Sequence, residues 1–217
     1  MAISQSKLTN ILLTSGMIAG PLYVGISLTE GLTRPGFSFL RHSWSLLANG
    51  EWGWVHIALF IVTGLLTIAG AIGVRRVLRG KKGGTWGPRL LGLYGLGLIG
   101  AGIFKADPAM GFPLGTAADA HAVSMSGLLH LMIGAIGFIG LIAACFVIAR
   151  YFKANEDNAW ATFSKFTGAF YFLAFMGIAM GSQQTGAILT SVILGFTAAV
   201  ILGWTWITAT LGRLKQL

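Results

Sequence analysis

Stretches without Asp, Glu, Lys or Arg run for whole helix lengths along this chain: Leu8 to Thr29, Gly53 to Val74, Ala122 to Ala149, then Phe166 to Gly212. A soluble helix or strand alternates apolar and polar faces, whereas a bilayer span needs about 20 mostly apolar residues in a row. The last stretch is too long for one helix, and the polar knot Gly181-Ser182-Gln183-Gln184-Thr185 divides it. Between Arg89 and Lys105 lies a shorter run, Leu90 to Phe104, whose flanking cations would snorkel to opposite interfaces. The pattern predicts spans at 8–29, 53–75, 88–105, 122–150, 161–181 and 186–210. That is an all-α, polytopic six-helix bundle, a single transmembrane domain over residues 1–217. The first stretch follows Lys7 and exceeds the h-region of a secretory leader, about 7–15 residues. It is therefore expected to be a retained span.

Charge orients this bundle. The loop after the second span carries Arg75, Arg76, Arg79, Lys81, Lys82 and Arg89, and the loop after the fourth adds Arg150, Lys153 and Lys165. Arg213 and Lys215 close the chain. Short loops rich in Lys and Arg stay cytoplasmic, so both termini are expected there. The same clustering removes nucleic acid as a partner despite a net charge of +9, since the cations mark loops and do not form a stripe on a folded surface. Membrane lipids are the expected surroundings. Trp52, Trp54, Trp86, Trp160, Trp204 and Trp206 lie near predicted span ends, where indole anchors at the headgroups.

Thirty-two glycines point to close helix contacts, because helices in lipid associate through backbone approach and not through a hydrophobic drive. Gly16 and Gly20 form a small-xxx-small pair, and Pro21 strips the Met17 carbonyl of its helical partner and predicts a kink. Gly127, His130, Gly134 and Gly137 share one helical face, as do His56, Phe60, Thr63, Thr67 and Gly70, so His130 and His56 are expected to face protein. The lone cysteine, Cys145, rules out an intramolecular disulfide.

With this topology His42, His56, His121 and His130 all fall at the extracytoplasmic side, together with Asp107, Asp119, Glu51, Ser43, Ser45, Gln183 and Gln184. No acidic residue is expected inside a span. Gly20-Pro21, His42 with Ser45 ahead of a span opening at Gly53-Trp54, and Phe104 with Asp107-Pro108 resemble a bacterial and archaeal membrane family catalogued as domain of unknown function 998. The resemblance covers nearly the whole chain. It implies a six-span bundle in a prokaryotic cell membrane and no settled activity.

Several chemistries suit these residue types. His42, Asp107, His121 and His130 are suitable zinc ligands, although His121 and His130 would face apart on a continuous helix. His56 and His130 could be axial ligands of a haem. Ser45 beside His42, Asp107 and His130 could support hydrolysis, without the Gly-x-Ser-x-Gly elbow of the common hydrolases. The leading expectation is a histidine/aspartate pocket that binds a metal or a small, lipid-like ligand, with hydrolysis as an extension. Its competitor is a non-catalytic scaffold or partner subunit. The bland reading of Asp107-Pro108 is a turn, that of His42 a loop cap, and that of His130 a hydrogen bond inside the bundle.

Overall fold

The computed structural model describes residues 5–118, 123–181 and 185–216. Its helices are α1 (Gln5–Thr33), α2 (Gly53–Val77), α3 (Trp86–Ile103), α4 (Met125–Ala154), α5 (Asn158–Gly181) and α6 (Gly186–Lys215), with a 3-10 turn at Trp44–Ala48. Each helix packs on the next in sequence, and α6 closes on α1, so the six make a ring. Both ends of the chain lie at one end of the bundle. The loop holding the 3-10 turn and the α3–α4 connection lie at the other, called the histidine end below.

Five of the six helices are long and apolar enough to cross a membrane; α3 is not among them. Its 18 residues amount to about 27 Å at 1.5 Å per residue, and Trp86-Gly-Pro-Arg89 dilutes its first turn. Nevertheless α3 packs along both neighbours from its first turn to its last. A Cβ at Gly87 would meet Ile148 of α4, one at Gly97 would meet Gly137, and one at Gly102 would meet Ile57 of α2. Its glycines are what allow this: a Cβ at Gly95 would stand 2.8 Å from the Gly64 carbonyl oxygen, so α2 and α3 touch backbone to backbone.

The same device joins α1 to α2, where a Cβ on Gly16 would lie 2.7 Å from the Gly70 Cα. Pro21 sits inside α1, and the Met17 carbonyl that it leaves without a helical partner accepts a hydrogen bond from Thr208 Oγ1 of α6 at 3.1 Å. Thus the backbone defect of α1 is repaired by the helix that closes the ring.

Two expectations are corrected here. Helix α1 does not stop at Thr29; it continues one turn to Thr33 and carries Glu30, 7% exposed, into the bundle. An acidic residue therefore does lie in a long apolar helix. Trp52, Trp54 and Trp86 are exposed as anchors should be, but Trp204 and Trp206 are 1% and 0% exposed. They are core side chains, with Trp206 Nε1 donating to Ser164 Oγ at 2.9 Å.

Candidate functional site: an apolar cavity with a polar cap

A cavity of about 440 Å³ occupies the half of the bundle next to the histidine end. Small-molecule sites fall at roughly 300–1,000 Å³. Its walls are mostly apolar, with Phe60 of α2, Leu98 of α3, Phe138 of α4, Phe175 of α5 and Phe196 of α6, and Tyr23, Tyr94 and Thr197 join them. Its cap is polar. Ser43, Trp44 and Ser45 of the 3-10 turn close it from above, Met110 of the α3–α4 connection lies beside them, and His130 enters from α4.

His130 is held in a defined tautomer. Its Nδ1 lies 3.2 Å from the Ala101 carbonyl oxygen and 2.8 Å from that of Phe104, both at the end of α3. Carbonyls only accept, so Nδ1 carries the proton and Nε2 of the neutral ring is left as an acceptor. The expectation that His130 faces a neighbouring helix is met through these contacts. Ser43 and Ser45 hydroxyls lie 3.4 Å apart at the cap.

His42 and Asp107 stand outside this cavity lining. His42 Nδ1 accepts from the Ser38 backbone N–H at 2.9 Å, and Nε2 donates to the Met110 carbonyl at 3.0 Å. Both ring nitrogens are thus committed to bracing two loops. Asp107 accepts from the Ser124 backbone N–H at 2.8 Å and from its hydroxyl at 2.6 Å, while Ser124 Oγ in turn accepts from Gly127 N–H and caps α4. Asp107 fixes where α4 begins. His121, like Asp119, Gln183 and Gln184, lies outside the described residues.

Among the described residues no group of three or more His, Cys, Asp or Glu side chains is gathered as a metal site. Both ring nitrogens of His42 are engaged with backbone groups, and each Asp107 oxygen accepts one hydrogen bond from Ser124. The haem pair fares no better. His56 is wholly buried and does not line the cavity, and Phe60 packs edge-on against both rings, at 4.7 Å from His56 and 6.3 Å from His130. A macrocycle needs open space between two imidazoles.

One functional-looking group escaped the sequence. Glu30 Oε2 lies 2.7 Å from His56 Nδ1, and Glu30 Oε1 lies 3.5 Å from Arg34 Nη1. Arg34 also donates to the carbonyls of Leu47 and Asn49. The network ties α1, α2 and the 3-10 turn that caps the cavity. Among the described residues His56 Nε2 is buried without a partner, as are Trp44 Nε1 and Trp204 Nε1, and all three rings pack around Tyr23.

His42 gives the loops a pH dependence. Burial pulls its pKa below the ordinary value, the Met110 hydrogen bond opposes that, and the Arg41 charge adds to it. The unfolded chain then takes up the proton first as pH falls below about 6.5. Stability carried by neutral His42 is present above that pH and lost on acidification toward the folded value. A His42→Asn variant should show a flatter fall in thermal midpoint between neutral and mildly acid pH than the parent. Equal slopes would mean that His42 titrates as it does in the unfolded chain.

A ring of six helices, five of them long and apolar enough to cross a membrane, around an internal cavity defines a polytopic α-helical integral membrane protein. The chain belongs to the family described as protein of unknown function (DUF998), whose model matches residues 17–212. No curated protein and no solved structure matches it.

Proposed function

We propose that this protein binds a lipid-like ligand in the cavity, with the polar end of the ligand at His130, Ser43 and Ser45. The observation that carries the reading is the division of one cavity into a long apolar barrel and a small hydrogen-bonding cap. Amphipathic molecules present that division, and a pocket that is mostly apolar with a few placed polar groups is the usual form of a small-molecule site. The cap faces the extracytoplasmic side, six helices cross the bilayer, and both termini are cytoplasmic. Support for this orientation comes from the cations: Arg34, Arg41 and Lys105 are the only ones at the histidine end, and the rest sit with the termini.

Chemically, His130 Nε2 is an acceptor suited to hold a ligand hydroxyl or to take up its proton. The serines supply both donor and acceptor capacity. Binding is the proposed role; hydrolysis would require the Ser43 or Ser45 hydroxyl to be activated by His130 Nε2, whereas the two hydroxyls face each other at 3.4 Å. Native mass spectrometry of the detergent-purified chain should find a co-purifying lipid-sized adduct, diminished at least several-fold in His130→Ala. A folded protein with no adduct, in which His130→Ala changes nothing, would leave the scaffold role. Labelling of Lys81→Cys by an impermeant thiol reagent in intact cells would reverse the orientation.

A further inference from the structure

Two features of the cavity bear on the kind of molecule it accepts and the route by which it enters. The first is its side wall. Leu131, Gly134 and Ala135 of α4 and Ile178 and Ala179 of α5 all line the cavity. Yet Leu131 is 62% exposed, Ala179 is exposed, and a Cβ on Gly134 would meet nothing within 4 Å. Toward the termini the same two helices are shut. Phe138 and Phe175 rings stand 5.7 Å apart, and a Cβ on Gly168 would lie 2.9 Å from the Phe146 ring and 3.0 Å from Cys145. The cavity thus reaches the outer surface through a gap between the histidine-end halves of α4 and α5. Around this gap the exposed side chains are Leu128, Leu131, Met132, Met176 and Met180. Such a rim belongs in hydrocarbon and not in water.

The second feature is charge. Among the described residues no Lys, Arg, Asp or Glu lines the cavity, and the nearby Glu30 and Arg34 are engaged with each other, His56 and two backbone carbonyls. A phosphate, carboxylate or ammonium carried into this space would be desolvated without a counter-charge, which is strongly unfavourable. What the cap does offer is a bare imidazole nitrogen, fixed as an acceptor by the two carbonyls on Nδ1, and two serine hydroxyls. An acceptor that cannot donate selects a ligand with a hydrogen to give.

We infer that the occupant is an uncharged lipid with a hydroxyl head, a long-chain alcohol in chemical class, drawn sideways from the bilayer through the α4–α5 gap. This rests on the lipid-binding reading and narrows it: a charged phospholipid or fatty acid is excluded by the lining, and a water-soluble molecule by the entrance.

Trp44 lines the cap and provides the readout. The full chain is placed in phosphatidylcholine nanodiscs and titrated with dibrominated octadecanol or dibrominated octadecanoate at mildly alkaline pH, and the quenching that disappears in Trp44→Phe is taken as the cavity signal. The alcohol is expected to reach half-quenching at a concentration lower by about tenfold than the carboxylate, the scale of one hydrogen bond plus a charge penalty. Gly134→Phe, whose Cβ would meet nothing within 4 Å and whose ring is long enough to reach into the gap, should slow alcohol quenching by about tenfold or more. Ala179→Phe on the facing helix repeats the test should the first variant fold poorly. A carboxylate as potent as the alcohol would overturn the assignment of the head, and unchanged quenching rates in both plugged variants would overturn the route; either result leaves a lipid-binding cavity standing. If neither probe quenches Trp44 in the folded parent chain, the cavity reading itself fails.

Discussion

Replacing Glu30 by Ala is expected to destabilise the bundle by about 3–5 kcal/mol, the scale for removing one partner of a buried, hydrogen-bonded charge pair. Against a total of about 5–15 kcal/mol for a typical domain, that is a large share. The reason lies in what is left behind. His56 is completely buried and its Nε2 has no partner among the described residues, so loss of the Glu30 carboxylate at 2.7 Å strips the ring of its hydrogen bond at Nδ1. Arg34 loses its counter-charge in the same step. Glu30→Gln keeps an acceptor for Nδ1 and should cost less. Thermal unfolding of the purified parent and both variants in one detergent would measure the order, and a Glu30→Ala midpoint equal to the parent's would remove the buried pair from the account.

This substitution should also reach the cavity. Arg34 donates to the carbonyls of Leu47 and Asn49, and those residues fix the 3-10 turn that brings Ser43, Trp44 and Ser45 over the cavity. The carboxylate thereby acts on the cap through Arg34 and not by touching a ligand. Stability and cap order are coupled at this one cluster, which joins the end of α1, the start of α2 and the intervening loop.

Why Glu30 was invisible to sequence reasoning is instructive. It follows an apolar run that already meets the length of a span, so it reads as the first polar residue beyond the membrane. Its burial depends on His56 and Arg34, and the first of these is 26 residues away. By contrast, the helices themselves were legible because lipid imposes its requirement residue by residue: uncharged length predicts five of them, α3 follows from the shorter run between Arg89 and Lys105, and the polar knot at Gly181–Thr185 separates α5 from α6.

Which candidate residues share an end of the bundle was legible, but not which of them line the cavity. Alternation of the helices brings His130 and Ser45 to one end, and both line the cavity. The residue types of His42 and Asp107 are equally suited to chemistry, and what distinguishes them is the backbone geometry of two loops: Met110 and Ser38 occupy the one, Ser124 the other. No periodicity reports that. Trp204 and Trp206 show the same limit, since nearness to a span end locates a residue along the axis of a helix but not around it.

The glycines allow a test of the packing in which two like substitutions carry opposite signs. Gly97 of α3 faces Gly137 of α4, and a Cβ placed on it would lie 2.7 Å from the Gly137 Cα and 3.3 Å from the Ile133 carbonyl oxygen. These are backbone atoms, so neither can turn aside as a side chain would, and the two helices must separate. Gly97→Ala is therefore expected to cost about 1–3 kcal/mol, the range for overpacking a close contact. Gly134 lies one turn from Gly137 on the same face of α4 and, like Gly97 and Gly137, borders the cavity, but its added Cβ would meet nothing within 4 Å. There the methyl group should bring only the helical preference of Ala over Gly, about 0.8–1 kcal/mol in favour of the folded state. Unfolding midpoints of the two variants should consequently fall on either side of the parent. Were Gly97→Ala as stable as Gly134→Ala, α3 and α4 would not be in backbone contact, and the wall that α3 gives the cavity would lose its support.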